Sequence, residues 1–240
     1  MNILDLLFPK YCVNCKKFGD YLCSNCFSRL SFDTRNICVV CGKPSYNGLT
    51  HPRCLGKYTL SGSFTAIVYN SISKKLIYQF KYKPNLTGLK NFLGDLFYEA
   101  LIQNEEFNKI LRQRPSGPDR QDELILVPIP LGKSKFRKRG YNQAEILANE
   151  LSRRFGFSVV NCLTRVKDTK SQVGLNKKER KENVKGVFKF SKEFSANFKN
   201  ARVILVDDVL TTGSTFSEAA SVLKHCGVRQ VWAVALAKED

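Results

Sequence analysis

Two adjacent carboxylates, Asp207 and Asp208, stand directly before a cluster of hydroxyls in the run VILVDDVLTTGST at residues 203–215. Acids closing an otherwise apolar segment cost free energy unless they hold something. Sugar hydroxyls or a divalent cation would suit them, since carboxylate oxygens accept from the former and ligate the latter. Thr211, Thr212, Gly213, Ser214 and Thr215 then supply a tight turn leading into a helical pattern over residues 216–225. Hydroxyls and backbone N–H groups converging at a helix N-terminus make a cradle for phosphate. Phosphate donors beside diol acceptors describe a ribose 5-phosphate site. The plainer alternative is a buried strand followed by a capped helix.

A second kind of chemistry lies near the N-terminus, where seven of the nine cysteines fall within the first 54 residues. Cys12 with Cys15 and Cys23 with Cys26 are two C-x-x-C knuckles, and four thiolates at that spacing surround one tetrahedral Zn²⁺. Cys38 and Cys41 form a third knuckle, and His51 with Cys54 offers a fourth in H-x-x-C form. If His51 is a ligand, a second Zn²⁺ site of Cys₃His type follows; if it is a surface loop residue, three cysteines remain. Spacing leaves interleaved pairing of the knuckles open. Paired cysteines in a chain without an evident signal peptide or membrane span point to metal rather than disulfides, and to the cytoplasm.

The chain has 240 residues, enough for one ordinary domain and a small appendage. Its 39 Lys and Arg against 21 Asp and Glu leave a formal charge of +18, which favours polyanions such as nucleic acid or phosphorylated ligands. Between Gly132 and Phe190 there are sixteen basic and five acidic residues, so the excess gathers around the proposed site.

Several elements must position these groups. Residues 1–58 read as a zinc-ribbon module in which metal replaces a hydrophobic core, and residues 59–240 as an α/β domain. From Gly62 an alternating strand leads into an amphipathic helix at 73–82, with a break at Lys83, Pro84 and Asn85 before a second helix at 89–111. A polar connection over 112–123 precedes the buried strand 124–127 and the prolines Pro128 and Pro130, which force a loop. That loop carries Lys133, Lys135, Arg137, Lys138 and Arg139; Gly140 to Gln143 then open a helix ending near Phe155. A basic loop at the carboxyl end of a parallel strand suits an anion, and pyrophosphate fits. The polar stretch 165–186 includes a predicted helix at 177–185. A last strand at 230–236 completes the sheet.

The 203–215 run resembles the phosphoribosyl pyrophosphate (PRPP) motif of type I phosphoribosyltransferases. With the cysteine knuckles, VPIPL at 127–131, RKRGYNQAEILA at 137–148 and the spaced polar block from Arg165 to Phe188, the chain resembles the ComF family of competence proteins over nearly its whole length. This resemblance implies a type I phosphoribosyltransferase-like fold, a mainly parallel sheet flanked by helices, with an N-terminal zinc ribbon and a role in handling incoming single-stranded DNA during natural transformation. It implies PRPP bound with Mg²⁺: the 5-phosphate on residues 211–215, the ribose diol on Asp207 and Asp208, the pyrophosphate near Arg137 and Arg139, and the 165–186 stretch closing over the donor. Other competence or DNA-processing proteins are candidate partners. Where some purine-salvage relatives carry an acid, this chain has Thr211, so no acceptor base is identified. A working transferase with an unknown acceptor and a PRPP-sensing adaptor are the alternative functions.

Overall fold

The computed structural model describes residues 10–82, 87–112, 124–167, 179, 182–194, 198 and 201–239. The break at 83–85, most of the connection at 112–123 and most of the 165–186 stretch lie outside the described residues; within the predicted helix at 177–185, Glu179, Glu182 and Asn183 are described and helical.

At the centre is a five-stranded sheet in the order β1-β7-β6-β2-β3, formed by β1 (Gly62–Val68), β2 (Leu124–Pro128), β3 (Ser158–Val159), β6 (Arg202–Leu210) and β7 (Gln230–Lys238). Every pairing in it is parallel, as the continuous apolar runs predict. Side chains alternate between two cores. Ile204, Val206, Trp232 and Val234 join one, and Val203, Leu205, Val231 and Ala233 the other. The expected final strand is longer than 230–236 and lies inside the sheet, between β1 and β6.

Helices α2 (Ser71–Tyr82), α3 (Thr87–Ile102), α4 (Glu105–Arg112) and α6 (Gln143–Phe155) supply the first core, which also takes in Cys12, Leu22, Cys23, Cys26 and Leu30 from the ribbon and its short helix α1 (Ser24–Phe27). Helix α7 (Ser214–His225) and a two-stranded antiparallel piece, β4 (Leu163–Arg165) with β5 (Phe188–Phe190), cover the other face, joined by Val39 and Leu60. The ribbon thus reaches both faces around the β1 edge. This explains why β1 is not the half-exposed alternating strand expected: Ser63, Phe64, Ala66 and Ile67 are all buried.

Two further expectations change. The single helix at 89–111 is two, because Asn104 interrupts it and its Oδ1 accepts from the Phe107 N–H at 3.0 Å, starting α4 afresh. The basic loop after Pro130 folds into a short helix, α5 (Lys133–Arg139), closed by Gly140 at φ +79°.

Asn70 caps α2: its Oδ1 accepts from the Ile72 and Ser73 N–H groups at 2.9 and 3.0 Å. Asn70→Ala should therefore cost about 1 kcal/mol, the ordinary worth of such a cap, lowering Tm by about 2–4 °C in a thermal scan. An unchanged Tm would show that tertiary packing alone holds the helix start.

Candidate functional site: an acidic floor, a hydroxyl turn and two thiolate clusters

Strand β6 pairs with β2 only as far as Val206, opposite Pro128, but with β7 as far as Leu210, opposite Lys238. Pro128, the last residue of β2, and Pro130 just beyond it end the sheet on that side. Asp207 and Asp208 therefore lie where β6 has lost one neighbour, at the carboxyl edge where open α/β sheets bind ligands. Both line a cleft of about 570 Å³. Alternation along β6 turns Asp208 toward α2, where its Oδ1 lies 2.9 Å from Lys81 Nζ.

Lys81 is a site residue that sequence analysis missed. Burial disfavours its charge, but the Asp208 carboxylate outweighs this, through its field and a hydrogen bond, and the net direction is upward. The available signal was its position, four residues after Ile77 and next to Phe80 on the buried stripe of α2. Among the described residues, no cation lies as close to Asp207. Burial first, then the Asp208 charge, push its carboxyl up to about 7, against the pull of the Asp208 N–H, Lys81 and Arg165. That N–H donates to Asp207 Oδ1 at 2.8 Å.

Across the cleft, Gly213 caps α7 with φ +74°, a left-handed conformation that favours glycine. Thr211, Gly213 and Thr215 line the cleft. Thr212 and Ser214 bond to each other, Oγ1 to Oγ at 2.8 Å, and are absent from the lining. The helical form of α5 sorts its cations. Lys135 and Arg139, four residues apart, reach the cleft, whereas Arg137 is exposed and does not line it. Burial, then Arg165 and Arg139, draw the Lys135 pKa down. Arg139 donates to the Gln143 Oε1 at 2.7 Å and stacks over Tyr82, 5.2 Å from its centroid. Tyr78 and Tyr82 face each other 4.8 Å apart on the exposed side of α2, and both line the cleft.

The thiolates gather in sequence order rather than interleaved. Cys12, Cys15, Cys23 and Cys26 form one cluster and Cys38, Cys41, His51 and Cys54 the other, with ligand atoms all within 4.8 Å of one another. His51 is oriented for the role: Nδ1 lies 3.4 Å from Cys41 Sγ, while Nε2 is 2.9 Å from the Pro44 carbonyl, the outer contact that fixes a metal-binding imidazole. Burial raises the Cys12 thiol, but the N–H groups of Cys15, Cys23 and Asn14 more than offset it and bring the pKa down to about 6. Soft donors in tetrahedral number at this spacing fit Zn²⁺ at both sites.

Residues 3–55 match the double zinc ribbon domain family and residues 138–240 the phosphoribosyl transferase domain family. The architecture is thus a phosphoribosyltransferase fold clasped by a double zinc ribbon. The chain is 29% identical over 219 residues to competence protein ComFC of Bacillus subtilis, covering 88% of this chain and 81% of that one. It is 29% identical over 221 residues to DNA utilization protein YhgH of Escherichia coli K12, covering 88% of each. A shorter match, 43% identical over 116 residues, spans 47% of this chain and 50% of competence protein F of Haemophilus influenzae. Together these relatives and the two domains support a ComFC-like family for the chain.

Two measurements check the site. Metal analysis of the purified chain should give two zinc per chain, and a Cys38→Ser/Cys41→Ser variant one. Asp207 binds its proton more tightly folded, at about 7, than at its ordinary 3.8, so the native state holds more protons between these values and stability falls as pH rises through them. Asp207→Asn removes that penalty. The variant should melt a few degrees above the parent at pH 8, with the difference vanishing by about pH 4; a lower Tm at pH 8 would contradict the assigned shift.

Proposed function

We propose that this chain handles incoming single-stranded DNA in the cytoplasm during natural transformation, and that its cleft binds PRPP with Mg²⁺. The carrying observation is the cleft, where an acidic floor, a hydroxyl turn and the cations Lys135, Arg139 and Arg165 face one space, with Tyr78 and Tyr82 at its rim. The competence and DNA utilization names of the relatives support the same reading, as does the +18 charge.

Charge divides the labour. The 5-phosphate rests on the turn around Gly213 and the first amides of α7, which have no intrahelical acceptor. Asp207 and Asp208 accept from the ribose diol, with Asp208 held in place by its ion pair with Lys81. Arg139 and Lys135, with Mg²⁺, meet the pyrophosphate. A strand crossing the rim sets its phosphates on the basic side chains and stacks bases on Tyr78, 63% exposed, and Tyr82.

A second reading, a transferase acting on an unknown acceptor, is favoured by one observation. Asp207, raised to about 7, can exchange a proton at neutral pH, which the sequence alone did not offer. Pyrophosphate release from PRPP across a panel of bases, lost in Asp208→Asn, would establish it.

For the main reading, affinity for a single-stranded oligonucleotide should fall about 20- to 100-fold between 50 and 200 mM salt, as three to five phosphate contacts require. Tyr78→Ala should weaken binding about fivefold or more without altering the salt slope, since stacking releases no counterions. Salt-independent affinity would overturn the proposal for DNA, and absence of heat on mixing with PRPP and Mg²⁺ would overturn it for the sugar phosphate.

A further inference from the structure

The second thiolate cluster does not stand apart from the cleft. Val39, inside the knuckle closed by Cys38 and Cys41, is only 3% exposed and packs in the core that also holds Leu210 and Phe216, on either side of the hydroxyl turn. Its partner in that turn is Gly213: a Cβ there would overlap Val39 Cγ2, with the Val39 carbonyl oxygen at 3.4 Å and its Cβ at 3.5 Å. Farther along the same segment, Tyr58 stacks on His225 at the other end of α7, with centroids 3.7 Å apart and rings 5° from parallel. The metal-binding unit therefore touches α7 at both ends, and at its N-terminal end touches the residue that shapes the cradle.

We infer that Val39 is a positioning residue for the phosphate cradle, and that metal held by Cys38, Cys41, His51 and Cys54 sets how tightly the cleft binds a phosphorylated sugar. The second half of this statement rests on the reading of the cleft given above. The physical reason is a difference in stiffness. Gly213 has no side chain and the largest backbone freedom of any residue, so its left-handed turn needs an outside wall. The knuckle can be that wall only while its own loop is held. Backbone bonds close it, from the Gly42 N–H to the Cys38 carbonyl at 2.7 Å and from the Cys38 N–H to the Lys43 carbonyl at 2.9 Å. They close the knuckle itself but do not tie it to His51 and Cys54, which a shared metal ion joins to Cys38 and Cys41. Metal loss then opens the knuckle, Val39 withdraws, and the cradle amides lose their fixed aim. By linkage the effect runs both ways: a ligand in the cradle must retain the metal by the same factor that the metal strengthens the ligand.

The test uses the full zinc-loaded chain, with ribose 5-phosphate as probe. In Val39→Ala with its zinc content unchanged, amide hydrogen exchange across residues 211–217 should speed up about fivefold or more, within the ordinary range of coupling between sites. Val39→Ile, which keeps the γ-methyl, should restore it. Ribose 5-phosphate should slow zinc release to a chromogenic chelator in the parent chain and not in Val39→Ala. Gly213→Ala should loosen the cradle by collision with Val39, and adding Val39→Ala should partly relieve it because the colliding methyl is gone. Unchanged exchange in Val39→Ala while ribose 5-phosphate still binds overturns the positioning role. Faster exchange in that variant, with a probe that affects neither exchange nor zinc release in the parent, keeps the contact but overturns the link to a sugar phosphate and with it the reading of the cleft.

Discussion

Two carboxylates in adjacent positions at the end of a buried strand set the terms for the surrounding structure. Neither is comfortable. Asp208 is 8% exposed and is paired with Lys81, while Asp207, which has no equally close cation among the described residues, is driven toward its protonated form. An interior built for stability alone would replace such a pair with apolar residues. Its retention beside a turn of hydroxyls, in a cleft ringed by cations, is the pattern expected where preorganised charge awaits a polar ligand.

The sheet makes this arrangement possible by ending unevenly. Because β2 stops at Pro128 while β7 continues to Lys238, β6 is exposed on one side just where the acids begin. Helix α2 then delivers Lys81 from one face, and α7 presents its N-terminus from the other. The ribbon, too short to build its own core, is fastened by thiolates and lends its apolar residues to both cores of the sheet. Metal, strand edge and cradle consequently belong to one packing problem, and the ribbon is more than an appendage.

Electrostatics gives the molecule two scales of action. At short range the cleft opposes an acidic floor to the cations of α5 and Arg165, suiting a ligand that is anionic at one end and rich in hydroxyls at the other. At long range the excess of basic residues draws any polyanion toward the surface, with strength falling as salt screens it. The tyrosines at the rim of the cleft lie where the two scales meet.

Local patterns determined a great deal. The acids, the hydroxyl turn, the knuckles and the parallel strands are each written in contiguous residues, because strand period, turn chemistry and metal-ligand spacing are short-range rules. The helix break at Asn104 and the helical form of α5 were missed because a single cap and a single glycine decide them. Folding alone decided what depends on distant partners: that Lys81 meets Asp208, that Arg139 rather than Arg137 reaches the cleft, that the cysteines pair in order with His51, and that Val39 abuts Gly213. Those contacts join segments far apart in the chain, and side-chain direction at such meetings is set by how the layers pack, which no local pattern carries.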